Sequence, residues 1–125
     1  AKDVIGTDGG AEILIAELTS AVNGIPYLIE FACLEVPTGG DPDINLVCSA
    51  TGTTAENAGV TSGTVLLNNG DLTLGFYAEA DGGSTLAALT KKYLYLTCGD
   101  ATDAAYTAGK LVIKIHGAAF DYANG

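Results

Sequence analysis

Residues 110–117, KLVIKIHG, alternate strictly: Leu111, Ile113 and Ile115 point one way, and Lys110, Val112, Lys114 and His116 the other. Period two is the geometry of an extended strand with one face on a core. A helix built from the same residues would turn Ile113 to the side opposite Leu111 and Ile115. This segment also holds the chain's single histidine and two of its five lysines. Whether the chain does chemistry therefore turns first on which face His116 occupies.

The alternation recurs along the chain. In PYLIEFACLEV, residues 26–36, Tyr27, Ile29, Phe31 and Cys33 share one face. Leu28, Ala32, Leu34 and Val36 share the other, with Glu30 among them. The spacing predicts a long strand, apolar on both sides and covered on both by a second layer or a neighbouring subunit. EILIAEL (12–18), INLVCSA (44–50) and KKYLYLTCG (91–99) supply further apolar segments. Asn69-Gly70 lies between two apolar runs and predicts a hairpin joining strands near 64–67 and 72–79. The stretches 38–43 and 51–63 read as loops, 84–92 as a helical turn or irregular chain, and 118–125 as an arm or last strand. Seven or eight short strands with almost no helical periodicity predict one all-β domain, an antiparallel β-sandwich or jelly roll with short terminal arms.

At 125 residues the chain is long enough to fold without staples. Seventeen glycines suit short strands and turns. Fifteen acidic residues against five lysines, with no arginine, give a net charge of −10. That balance opposes nucleic acid, whose phosphates it repels. No apolar run approaches the ~20 residues of a membrane-spanning helix, and the first ten residues show no signal-peptide pattern, so no membrane partner is expected. Cys33, Cys48 and Cys98 form no C-x-x-C. Three buried thiols are expected, with one bridge plus a free thiol as the alternative.

Candidate chemistry is sparse. His116 has no second histidine with which to share a metal and falls in register with Lys110 and Lys114, so a surface or interface role is expected. Neither G-x-S-x-G nor H-E-x-x-H occurs, and no enzyme is expected. Asp41 and Asp43 beside a Gly-Pro loop are weak calcium candidates without EF-hand spacing; solvated loop carboxylates are the simpler expectation. Glu12, Glu17, Glu30 and Glu79 are candidates for a glycosidase pair, which only separation in space can define. Tyr93 and Tyr95 share a face with Lys91 and either stack on a ligand or pack against a neighbour.

KYLYLTCGDATDAAYTAGKLVIKIHG, residues 92–117, resembles a stretch of small tailed-bacteriophage virion proteins of the head decoration, or cement, type. In those proteins a "YLYLTTGDAT…YTAGK" run precedes a closing strand of hydrophobic-Lys-hydrophobic-Gly pattern. The likeness covers about a fifth of the chain and consists of strand and turn residues. It implies a capsid-exterior module made in the host cytoplasm that bridges capsid subunits as a homotrimer on the major capsid protein, without a cofactor. Val4, Ile5, Tyr93, Tyr95, Phe120 and Tyr122 are the interface candidates. A self-assembling tail or extracellular filament subunit and a carbohydrate- or calcium-binding sandwich module remain open alternatives.

Overall fold

The computed structural model describes residues 13–40, 42–49, 64–81, 92–98 and 106–118. They form seven strands and one helical turn. These are β1 (Ile13–Leu18), α1 (Ser20–Asn23), β2 (Ile25–Thr38), β3 (Ile44–Ser49), β4 (Thr64–Leu67), β5 (Tyr77–Asp81), β6 (Lys92–Cys98) and β7 (Ala108–Ala118). Two antiparallel sheets result, a four-stranded one in the order β1-β6-β3-β4 and a three-stranded one in the order β5-β2-β7.

One core lies between them. Leu18, Ile44, Leu46, Cys48, Leu94 and Leu96 enter it from the four-stranded sheet, and Ile29, Phe31 and Cys33 from the other. Each fully buried side chain of this size contributes about 1.5–3 kcal/mol of transfer free energy. Phe31 sets its ring edge-on to Phe76, with centroids 6.4 Å apart. Leu111, Ile113 and Ile115 pack against the same core, as their alternation predicts.

At its centre the four-stranded sheet is buried on both faces. Val47 and Tyr95 are register partners and both buried, yet they lie on the face opposite Leu46 and Leu96. Tyr95 is 2% exposed within the chain itself, so it packs inside the molecule and is not surface available to a partner. Tyr93, two residues away on the same face, is half-buried.

β2 departs from the simple two-face reading. Irregularities in its pairing with β7 fall between Pro26 and Leu28, between Cys33 and Glu35, and between Glu35 and Thr38. Each inserts a residue and reverses the alternation. Tyr27 is thereby exposed although it matches the core phase in sequence, and Val36 packs against the core although it does not. The outer side of β2 carries half-buried Leu28, Glu30 and Ala32 and exposed Leu34, so among the described residues β2 has a layer over one face only.

Asn69-Gly70 does not close a hairpin. β4 lies at the edge of the four-stranded sheet and β5 at the edge of the other, so the segment between them crosses from sheet to sheet. Gly70 has the expected positive φ of 62°. Asn69, however, is tied to β3: its backbone N–H donates to Asn45 Oδ1 and its side-chain amide to the Ile44 carbonyl, both at 2.9 Å. Leu72 then enters the core, and its N–H donates to the Pro42 carbonyl. The strand expected over 72–79 accordingly begins only at Tyr77.

Candidate functional site

The outer face of the three-stranded sheet gathers most of the described polar side chains that could act together. Three rows cross it, set by the pairing registers. Tyr77, Ala32 and Val112 form the first, Glu79, Glu30 and Lys114 the second, and Asp81, Leu28 and His116 the third. The middle row places two carboxylates directly opposite each other, which is unfavourable by itself.

Hydrogen bonds offset that repulsion. The Tyr77 hydroxyl donates to Glu30 Oε1 at 2.7 Å and lies 3.1 Å from Glu79 Oε2, so one proton serves two carboxylates. His116 Nε2 stands 2.6 Å from Glu30 Oε2 and donates to it. The Tyr77 hydroxyl and then His116 hold the Glu30 carboxyl below the usual range, against a smaller opposing effect of desolvation. Hydrogen bonding to Glu30, then burial, then Glu79 push Tyr77 well above the ordinary tyrosine range. The Tyr27 ring lies 6.0 Å from the imidazole, tilted by 46°.

This ladder spans all three strands, Tyr77 on β5, Glu30 on β2 and His116 on β7. Its chemistry is largely internal. A glycosidase pair of the retaining type needs room between its carboxylates for the sugar, which sets them ~5–5.5 Å apart. Between Glu30 and Glu79 the Tyr77 hydroxyl occupies that position. Of the other glutamates considered, Glu17 pairs in register with Tyr93 on the opposite sheet, and Glu12 lies outside the described residues. Cys33, the nearest thiol along β2, faces the core, donates a hydrogen bond to the Glu35 carbonyl, and has its pKa raised by burial. It is placed on the wrong side of the sheet to be activated by His116.

Cys33 and Cys48 are both free and buried. Among the described residues no group of three His, Cys, Asp or Glu side chains could hold a metal ion. Asp43 forms an isolated antiparallel bridge with Asp71, while Asp41 lies outside the described residues. Val4, Ile5, Phe120 and Tyr122 also lie outside them. No described helix is long and apolar enough to cross a membrane.

Sequence reasoning placed His116 on the outward face, where it is. It did not join His116 to Glu30 or find Tyr77. The available signal was Glu30 itself, an acid interrupting an otherwise apolar strand face. Comparison of the chain with protein-family models, curated proteins and solved structures gives no match.

Proposed function

We propose that the chain is a non-catalytic structural protein of a virion, a capsid decoration module that sits on the capsid exterior, self-associates and bridges the major capsid protein. The observation that carries this reading is the outer face of the three-stranded sheet. Tyr27, Leu34 and Tyr77 are each about half exposed there, around a ladder whose hydrogen bonds are already made within the chain. A face of exposed aromatic and aliphatic side chains with a satisfied polar centre suits docking against a partner. The resemblance of residues 92–117 to decoration proteins supports the same reading. Two nested pairs in opposite sheets, β3 with β6 inside β2 with β7, favour a jelly-roll type of winding, from which the direct β3–β4 pairing departs.

The test is the heat stability of purified particles with and without this chain. Particles that carry it are expected to release their genome at a higher temperature. Equal release temperatures would remove the stabilising role.

A tail or filament subunit is the second reading. It is favoured by the two edges of the three-stranded sheet, each of which has a ladder partner on one side only among the described residues. Helical polymers of the purified chain would select it.

A further inference from the structure

We propose that the chain associates head to tail by adding the β5 edge of a second copy to its own β7 edge, extending the three-stranded sheet from molecule to molecule. This deepens the self-association in the reading above by naming the surfaces. Among the described residues β7, 11 residues long, and β5 pair with β2 and with no other strand, so each leaves a row of backbone groups available.

Charge selects which edges meet. β7 carries Lys110, Lys114 and His116, whereas β5 carries Glu79 and Asp81. In a β7–β7 pair lysines confront lysines, and in a β5–β5 pair carboxylates confront carboxylates, both of which are unfavourable. Lysines on an edge guard against self-pairing of that edge. They do not guard against an acidic strand.

Register then makes the mixed pair specific. β5 and β7 both run antiparallel to β2 and are therefore parallel to each other. A copy added in the same orientation lays its β5 parallel to β7 with the same face outward. Without stagger, each of the three rows continues into the next molecule. Val112 meets the partner's Tyr77, Lys114 meets the partner's Glu79, and His116 meets the partner's Asp81. One apolar contact and one of complementary charge thus arise from a single placement, and a third sets the imidazole beside a carboxylate. Tyr77, Glu79, Asp81 and Lys114 are exposed and available for it. Because the two surfaces differ, the contact is heterologous and generates a ring where the rotation closes and a filament where it does not.

The test compares the association of the purified chain at low ionic strength for the native sequence, Glu79→Lys, Lys114→Glu and the double exchange. Light scattering across a concentration series gives the dissociation constants, and circular dichroism checks that each variant is folded. Each single exchange replaces an attractive cross-strand pair by a repulsive one and is expected to weaken association about tenfold. The double exchange keeps the net charge, leaves Glu30 flanked by one lysine and one glutamate, and restores attraction between copies, so association returns. A native chain that stays monomeric, single exchanges that change nothing, or a double exchange as weak as the singles would each overturn the contact. Particle stability is a separate readout, so failure of the decoration role leaves this result standing.

Discussion

Asn69→Ala tests the step at which the fold departs from the simplest reading of its sequence. The Asn69 side chain donates to the carbonyl of Ile44, a residue 1% exposed, and its own N–H is held by Asn45 Oδ1. Truncation removes the donor to that carbonyl and frees the start of the crossover. Loss of one partner of a buried polar group costs about 1–3 kcal/mol, and Asn69 is only half-buried, so a loss of about 1–2 kcal/mol is expected. With a urea slope of about 1–3 kcal/mol/M for a domain of this size, the unfolding midpoint falls by about 0.5–1 M. The exposed neighbour Asn68 serves as control, and Asn68→Ala is expected to stay within about 0.5 kcal/mol. Equal midpoints for the two variants would refute the anchoring of the crossover to β3. They would restore a local turn in which Asn69 has no long-range partner.

Phe31→Ala empties a fully buried site beside Phe76 and is expected to cost about 3–5 kcal/mol, measured by thermal or urea unfolding. Gly109 has φ of 144°, and a Cβ there would stand 3.0 Å from the Pro37 Cα, so Gly109→Ala is expected to lower stability by about 1–3 kcal/mol in the same assay. Folding depresses the Glu30 pKa, so its contribution is present above the ordinary carboxylate range and is lost as the pH falls through the folded value. Glu30→Gln is therefore expected to give a shallower fall in Tm below about pH 5 in a calorimetric series. Cys33 and Cys48 are expected to resist a thiol reagent in the native state and to react at the rate of unfolding in mass-spectrometric labelling.

Residues 110–117 were legible because nothing interrupts their alternation: Leu111, Ile113 and Ile115 pack on the core and the lysines face out. β2 was legible as a strand but only partly in its faces. Its bulges next to Tyr27 and Leu34 are set by the pairing with β7, and a single-strand pattern contains no signal for the partner's register. Asn69-Gly70 has the local chemistry of a hairpin, and Gly70 adopts the expected backbone. Long-range bonds from Asn69 to β3 and burial of Leu72 outweigh that preference and send the chain to the other sheet. Tyr95 shows the same limit, since alternation puts it opposite Leu94 and Leu96 without telling that its own face is also buried.

Sequence by itself determined the all-β class, most of the described strands and the outward position of His116, because side-chain alternation is a local property of extended chain. The crossover, the bulged faces of β2, and the meeting of Tyr77, Glu30 and His116 were decided only in the tertiary structure. Those three residues are separated by up to 86 positions, and only the ladders joining β5, β2 and β7 bring them within hydrogen-bonding distance.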